Sequence, residues 1–250
     1  MDKKPNILTM ANLKGGVGKS TLTIMFAYLL KDLDKKVLIV DMDPQNSITS
    51  YFLKHLHNVE IYNTYDMLKG SVPFNKCVRK VDDYICIIPS HPILENFNSD
   101  PVDYKEIILE FRLEQNILAH EFDYILLDTP PNRDFLIKNA LNITDHVIIP
   151  VQVERWSIES FIILMDMIKN FQIIKKKIYT ISIVENQFIK NRNTLKDIEK
   201  LLYKEYGSYV KGKIHFSNGI KVFINELLEP SPKEVYYKEA KETLQNILYL

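Results

Sequence analysis

Short apolar runs alternate along the chain with longer segments in which apolar residues recur every three or four positions. Several of the short runs are apolar on consecutive positions, which is typical of strands covered on both faces. The predicted strands are Ile7–Ala11, Val37–Val40, Tyr84–Ile88, Tyr124–Leu127, Val147–Val151 and Ile178–Val184. The predicted helices are Lys19–Lys35, Val102–Glu121, Ile158–Phe171, Thr194–Tyr206 and, after a Pro-Ser-Pro break, Lys233–Leu248. The region Asn46–Lys80 has weak periodicity and is predicted to contain only short helices and loops.

Repeated alternation of strands and helices predicts an α/β fold with a doubly wound, mainly parallel sheet and helices on both faces. The 250 residues are 46% hydrophobic, which is enough for one substantial core. No Gly/Ser-rich linker, internal repeat or low-complexity tract divides the sequence, so we expect a single domain over residues 1–250.

The charges of the chain cancel, with 32 basic and 32 acidic residues. Any contact with nucleic acid must therefore come from a local patch.

Cys77 and Cys86 have no recognised metal spacing, and we expect both to be reduced thiols. The N-terminus leads directly into the first predicted strand, and no apolar run approaches the roughly 20 residues that span a bilayer. We expect a cytoplasmic protein with no membrane partner.

A glycine-rich segment, Asn12–Thr21, lies between the first predicted strand and the first predicted helix. In that position its N–H groups converge on phosphate oxygens, and the helix N-terminus adds positive charge. Lys19 can then reach the β- and γ-phosphates, while the Ser20 hydroxyl can ligate Mg²⁺. The general pattern G-x-x-x-x-G-K-[ST] is not met strictly, because Leu13 occupies its first glycine position. A chance glycine-rich turn is the alternative. The residues predicted to bind the nucleotide are Gly15, Gly16, Val17, Gly18, Lys19, Ser20 and Thr21.

Carboxylates stand at the carboxyl ends of two further predicted strands, where open α/β sheets bind ligands. Asp41 and Asp43 follow the second strand, and Pro44 ends it. Asp41 either supports a metal shell or the loop, or caps the helix that begins near Asn46. Asp128 ends the run Tyr124–Leu127, about 110 residues after the glycine-rich loop. That spacing makes it a candidate to hold Mg²⁺ through the water shell of the ion.

The segment Lys14-Gly15-Gly16-Val17-Gly18-Lys19-Ser20 resembles the deviant Walker A motif of the ParA/MinD ATPases. The resemblance implies that Lys14 reaches across a dimer interface to the nucleotide phosphates of the partner subunit. Asp41–Gln45 resembles the D-x-D-P-Q segment of the family, which implies that Asp43 positions the attacking water. Asp128 resembles a Walker B acid. The switch segment that senses the γ-phosphate would include Pro131. The implied catalytic residues are Lys14, Lys19, Asp43 and Asp128, and the implied metal ligands are Ser20, Asp43 and Asp128.

Longer stretches of the middle region also resemble ParA proteins. They are Asn139–Asp145, Val147–Gln152 and Trp156–Ser160. Asn186 stands where relatives place an asparagine that contacts the base, although an asparagine that forms a turn is an equal alternative. The resemblance covers roughly residues 6–190 well and the last sixty weakly.

The resemblance is to the short ParA form, which lacks an N-terminal helix-turn-helix. It implies an ATP- and Mg²⁺-dependent switch ATPase for plasmid or chromosome partition that dimerises around ATP. Such a dimer binds DNA nonspecifically, associates with the nucleoid and hydrolyses ATP when a ParB-like, centromere-binding partner stimulates it. Basic residues are the candidates to contact the DNA phosphates, and for each of them the alternative is a solvated surface charge. The candidates are Lys190, Arg192, Lys196, Lys211, Lys213 and Lys221.

Three other functions use related motifs. A MinD-like membrane-positioning ATPase needs a C-terminal amphipathic helix with a basic face, but Lys238–Leu250 also contains Glu239 and Glu242. A bacterial tyrosine kinase domain would carry a C-terminal tyrosine cluster, for which only Tyr236, Tyr237 and Tyr249 are available. An iron–sulfur protein would need interface cysteines, which Cys77 and Cys86 do not match.

Overall fold

The computed structural model describes residues 4–117, 121–152, 154–176, 179–188 and 196–249. Its eight strands form one sheet in the order β3-β4-β2-β5-β1-β6-β7-β8. All neighbouring strands run parallel except β3, which is antiparallel to β4. The strands are β1 (Asn6–Met10), β2 (Val37–Asp41), β3 (Arg79–Lys80), β4 (Ile85–Ile88), β5 (Tyr124–Asp128), β6 (His146–Val151), β7 (Thr180–Phe188) and β8 (Val210–His215).

Helices cover both faces of this sheet. They are α1 (Lys19–Lys31), α2 (Ser47–Tyr51), α3 (Thr64–Lys69), α4 (Phe74–Cys77), α5 (Ile108–Ile117), α6 (Phe135–Ile143), α7 (Arg155–Lys175), α8 (Lys196–Tyr206), α9 (Asn218–Asn225) and α10 (Val235–Leu248). Short 3-10 segments occur at Leu53–His55, Pro92–Asn98 and Gly207–Tyr209. This arrangement confirms the predicted doubly wound α/β fold.

The central strands are apolar on consecutive positions because each of their faces is buried in a different cluster. In β2, Val37 and Ile39 pack with α1 and α10, whereas Leu38 and Val40 pack on the opposite face with residues of α3, α5 and α6. A third cluster, built from β6, β7, α7 and α8, continues the second face toward β8. Side chains of a strand alternate between faces, so a strand covered on both sides shows no polar alternation.

The structure contains all six predicted strands and all five predicted helices, with shifted ends. Helix α1 ends at Lys31, four residues early, because the chain turns at Asp34, which has a left-handed φ of 55°. The predicted starts at Ile178 and Thr194 lie outside the described residues. Four elements were not predicted: β3, β8, α6 and α9. Strand β8 has the sequence VKGKIH and lies at the sheet edge with only Ile214 buried, so it lacks the apolar run of a central strand.

The parallel topology brings the candidate chemistry to one edge of the sheet. Strand β5 lies between β2 and β1, and Asp128 is in register with both Asp41 and Met10. The glycine-rich loop that follows β1 therefore begins beside the two acids that end β2 and β5. None of the helices in the described parts of the chain is both long enough and apolar enough to cross a bilayer.

A buried histidine on β6 makes stability depend on pH. The Nε2 atom of His146 lies 2.8 Å from the Ser182 hydroxyl oxygen, and burial lowers the pKa of the imidazole from 6.5 to about 4. Between these values the unfolded chain binds more protons than the folded chain, so the free energy of unfolding falls as the pH falls. We expect a loss on the order of 3 kcal/mol from this residue by pH 4.

Replacing His146 with Gln, which can still pair with Ser182, should remove that part of the pH dependence. The measurement is urea unfolding at pH 7 and pH 4.5, with His57→Gln at an exposed position as the control. Wild type and the control should lose more stability on acidification than His146→Gln does. Equal losses in all three proteins would contradict the assignment.

Candidate nucleotide-binding site

The glycine-rich loop owes its shape to two residues with left-handed backbone angles. Gly16 has a φ of 76° and Gly18 a φ of 92°, values that glycine adopts without strain. Gly18 is also the N-cap of α1. Since glycine has no side chain to cap the helix, the first N–H groups of α1 remain available to an anion. This loop has the geometry expected of a phosphate cradle.

Lys19 places a buried positive charge at the start of α1. Its side chain is nearly excluded from solvent, and its Nζ lies 3.4 Å from the Lys14 carbonyl oxygen. Burial lowers the pKa of Lys19, while the charges of Asp128 and Asp43 act in the opposite direction. A cation beside two acids and a cradle of N–H groups is suited to the outer phosphates of a nucleotide.

Ser20 and Asp128 form the second polar pair of the site. The Ser20 hydroxyl donates to Asp128 Oδ2 at 2.7 Å, and the Thr23 hydroxyl donates to Oδ1 at 3.4 Å. Asp128 is completely buried, and this burial, together with the nearby Asp41, raises the pKa of its carboxyl group. A hydroxyl and one or two carboxylates fit Mg²⁺, which keeps several waters and takes phosphate oxygens as further ligands.

The Asp41 carboxylate accepts hydrogen bonds from the loop and the helix that follow β2. Its Oδ2 accepts hydrogen bonds from the Thr49 N–H at 2.9 Å and the Thr49 hydroxyl at 2.6 Å, and its Oδ1 accepts from the Asp43 N–H at 3.2 Å. The side chain is fully buried. Of the roles left open by the sequence, these bonds favour support of the loop, through the Asp43 N–H, and capping of α2, through the Thr49 N–H in its first turn.

Asp43 differs from Asp41 in keeping one oxygen available. Its Oδ1 accepts from the Gln45 N–H at 2.9 Å, whereas Oδ2 makes no hydrogen bond within the described part of the chain. Burial raises the pKa of Asp43, an effect that the charge of Lys19 opposes. Asp43 therefore has a fixed position and an oxygen free to accept a hydrogen bond from a ligand or water.

Lys14 is turned toward the start of α7. Its Nζ lies 3.1 Å from Glu154 Oε2, in an ion pair whose side chains are 25% and 44% exposed. Its backbone N–H donates to Asn12 Oδ1 at 2.8 Å, and Asn12 in turn donates to the Pro150 carbonyl at 2.7 Å. The lysine expected to act across a dimer is thus held by an acid of its own chain.

Three side-chain amides from the ends of β6 and β7 hold the loop carbonyls. Gln152 Nε2 and Gln187 Nε2 donate to the Gly16 carbonyl at 3.1 and 3.0 Å, and Asn186 Nδ2 donates to the Val17 carbonyl at 2.7 Å. Our sequence-based site did not include Asn12, Gln152, Glu154 or Gln187. The available signal was their position at or just after the carboxyl ends of β1, β6 and β7, at the same edge as the loop.

A cleft of about 200 Å³ opens beside the phosphate loop. Thr21 and Asn186 line it on one side, and residues of the β8–α9 connection and α9 line the other. Asn186 uses one amide hydrogen on the Val17 carbonyl, and its second amide hydrogen and Oδ1 have no partner among the described residues, so they can serve a ligand. The lining residues are Gly18, Thr21, Asn186, Gln187, Phe216, Ser217, Ile220, Lys221, Ile224 and Asn225.

The remaining predicted site residues lie in different surroundings. Pro131 is half-buried three residues after β5. Lys190 and Arg192 lie outside the described residues, as does the side chain of Lys196. The other three predicted DNA-binding lysines are described. Lys211 lies over the Tyr249 ring, Lys221 lies over the Phe216 ring, and Lys213 pairs with the buried Glu185 at 3.0 Å and with Glu199. The ion pairs of Lys213 reduce the charge that it can offer to phosphate.

Comparisons with known proteins identify the family of this chain. Residues 5–183 match the profile of a family described as an AAA domain. In its overall structure the chain is similar to a plasmid partition protein of Borrelia burgdorferi B31 bound to AMPPNP, with 34% identity and a TM-score of 0.87. That similarity covers 98% of this chain and 99% of the other. The chain belongs to the ParA-type family of partition ATPases.

Curated ParA-type relatives agree with this assignment. The chromosome partitioning protein ParA of Myxococcus xanthus is 34% identical over 156 residues, which are 61% of this chain and 54% of that protein. The sporulation initiation inhibitor protein Soj of Bacillus subtilis is 27% identical over 212 residues, covering 84% and 81% of the two chains. The chain thus matches about half the length of the first relative. The resemblance inferred from the deviant Walker A motif is confirmed.

The two outer glycines of the loop should differ in their tolerance of a side chain. A Cβ atom at Gly18 would lie 2.2 Å from Asn186 Nδ2, on a backbone with a left-handed φ. At Gly15 a Cβ atom would meet nothing within 4 Å. Gly18→Ala should therefore lower the free energy of unfolding by about 1–3 kcal/mol, whereas Gly15→Ala should change it by less than about 0.5 kcal/mol.

Chemical unfolding of the nucleotide-free protein checks this difference, since neither variant then loses a ligand contact. Equal stability of the two variants would show that Asn186 and the loop shift to accept the methyl group.

Proposed function

We propose that this chain is an ATP-dependent switch ATPase for plasmid or chromosome partition. It dimerises around ATP and Mg²⁺, binds DNA nonspecifically in that state, and hydrolyses ATP when a ParB-like partner stimulates it. The observation that carries the proposal is the arrangement of Lys14, the glycine loop, the buried Lys19 and Asp128, and the Ser20 hydroxyl at one sheet edge. The Borrelia burgdorferi relative, with AMPPNP bound, supports a nucleotide at the equivalent loop.

Each part of the nucleotide has a complementary group in this proposal. The loop N–H groups and Lys19 receive the phosphates. The cleft beside Thr21 receives the base, where the second amide hydrogen and Oδ1 of Asn186 match the donor and acceptor edge of adenine. Ser20, Asp128 and Asp43 hold Mg²⁺ directly or through water. When bound, the ion neutralises charge on the phosphate oxygens.

Hydrolysis requires little covalent chemistry from the protein, so positioning and charge stabilisation are its main contributions. Asp43 orients the attacking water through Oδ2, while the Gln45 N–H fixes Oδ1. Lys19 and the loop dipoles stabilise negative charge that develops on the transferred group. Slow intrinsic turnover suits a switch whose lifetime is set by a partner.

Lys14 connects nucleotide occupancy with dimerisation. Its ion pair with Glu154 is partly exposed and therefore contributes about 1 kcal/mol or less. A triphosphate in a closed interface presents several acceptor oxygens, and charge-assisted hydrogen bonds to them are stronger. Lys14 exchanges Glu154 for the phosphates of the partner subunit, so ATP binding favours association.

The packing of the C-terminal helix α10 favours DNA, and not a lipid membrane, as the surface to which the protein binds. Leu244 and Ile247 of α10 are buried against the core that includes α1, and are not available for insertion into a bilayer. Tyr236 and Tyr237 are buried in the same cluster, so they do not form an accessible tyrosine tail. The dimer doubles every basic surface, which gives nucleotide-dependent affinity for DNA despite a net charge of zero. The protein would then lie on the nucleoid in the cytoplasm.

The two loop lysines should separate binding from association. Lys19→Ala should lower ATP affinity at least about tenfold and abolish turnover, because it removes the charge in the cradle. Lys14→Ala should keep ATP binding but lose the ATP-dependent dimer. Nucleotide titration and sedimentation with a nonhydrolysable analogue measure the two effects. ATP hydrolysis that is unchanged in Lys19→Ala, or a normal dimer of Lys14→Ala, would contradict the roles assigned.

DNA affinity should depend on both nucleotide and salt. We expect binding with ATP or a nonhydrolysable analogue, little with ADP, and a loss of at least about tenfold between 50 and 200 mM salt. Asp43→Asn, in which hydrolysis is impaired, should stay on DNA longer after ATP addition than wild type. Lys14→Ala serves as the matched control that binds ATP but should not bind DNA tightly. Equal DNA affinity with ADP and ATP would refute the switch.

A further inference from the structure

We propose that Gln152 and Gln187 are positioning residues that aim the phosphate loop, acting together on one carbonyl oxygen. The inference rests on the proposed binding of nucleotide at this loop. Both glutamines donate to the Gly16 carbonyl, at 3.1 and 3.0 Å, and Gln152 also donates to the Gln187 side-chain oxygen. One carbonyl, which has two lone pairs, is thus held from the ends of two adjacent strands.

The anchored carbonyl belongs to the peptide that carries the Val17 N–H. A trans peptide is planar, and its C=O and N–H bonds point in opposite directions. Holding the carbonyl against β6 and β7 therefore fixes the direction of the N–H on the opposite side of the same plane. Asn186 does the same for the next peptide, because it holds the Val17 carbonyl at 2.7 Å and thereby directs the Gly18 N–H.

The loop cannot fix these planes by itself. Gly15, Gly16 and Gly18 supply three of four consecutive residues, and glycine has the widest choice of backbone angles. Without external anchors, the peptide between Gly16 and Val17 would sample several orientations. An anion would then have to order the loop as it binds, at an entropic cost that preorganisation removes.

The conformation of Gln187 supports a positioning role. It has a φ of 56°, in the left-handed region that non-glycine residues seldom occupy, and it lies at an irregularity in the pairing of β7 with β8 between Asn186 and Phe188. Strain of this kind persists where the surroundings hold it, and it re-aims a side chain. Here it turns a glutamine that also lines the cleft toward the loop carbonyl.

The test compares Gln152→Met, Gln187→Met and the double variant, since Met keeps the length of Gln but cannot donate. Gln245→Met is the control, because Gln245 lies on α10 and its neighbour Asn246 bonds the Lys211 carbonyl of β8 instead of the loop. The probe is ADP with Mg²⁺, titrated by calorimetry. Either amide alone should hold the carbonyl in part, so each single variant should lose about threefold in affinity and the double variant at least about tenfold.

Two further measurements separate positioning from a general effect on folding. The thermal midpoint without nucleotide should stay within about 2 °C of wild type, because the anchors are exposed hydrogen bonds on a loop. Hydrogen exchange of the Val17 amide should be faster in the nucleotide-free double variant and unchanged in Gln245→Met, whereas the Gly18 amide, which Asn186 still directs, should exchange as in wild type. Loss of ADP affinity in parallel with a large fall in thermal midpoint would overturn the inference in favour of a structural role.

The outcomes also distinguish this inference from the proposed function. If wild type and Gln245→Met do not bind ADP, nucleotide binding itself is refuted, and the inference with it. If they bind ADP and the double variant binds it within twofold of wild type, only the role of the two glutamines is overturned.

Discussion

The site depends on a small group of charges that the fold has removed from water. The Lys19 ammonium and the carboxyl groups of Asp43 and Asp128 lie together at the carboxyl edge of three adjacent strands. Burial disfavours the charged form of each group, and their proximity offsets part of that cost. Such a group suits a ligand that carries both charges, with phosphate oxygens for the lysine and a divalent ion for the acids. The electrostatics of the pocket are therefore compatible with the metal–nucleotide complex that we propose.

Side chains of neighbouring strands give the glycine loop its fixed shape. Asn12, Gln152, Asn186 and Gln187 come from the ends of β1, β6 and β7, and each bonds to loop backbone. Open parallel sheets bind ligands at this edge because successive strand ends deliver side chains to the same place. Here the strand ends also bond to the loop backbone to which we assign the nucleotide. The sheet thus contributes to recognition beyond carrying the loop.

The sequence predicted the fold and the centre of the site because both have strong local signals. Central strands covered on both faces appear as continuous apolar runs, and Lys14–Ser20 has a spacing that few loops share. Strand β8 was not predicted because it is an edge strand. Its stability comes from contacts with α10 and β7, which its own sequence does not reveal. The ion pair of Lys14 with Glu154 was not predicted for a related reason. The two residues are 140 positions apart in the sequence, and they meet only because β1 and β6 are neighbours in the sheet. Local pattern identifies elements and motifs, whereas tertiary placement decides their partners.

The pairing of Lys14 with Glu154 has a consequence for how protomers find each other, if Lys14 crosses the interface as proposed. A chain without nucleotide has its own acid to neutralise this lysine, and it offers no triphosphate to the lysine of a neighbour. When an empty chain meets a loaded one, only one of the two crossings gains a new anion. The full set of contacts forms only when both chains carry nucleotide. The dimer would therefore respond to two binding events together, and the amount of complete dimer would rise with the square of the fraction of loaded chains.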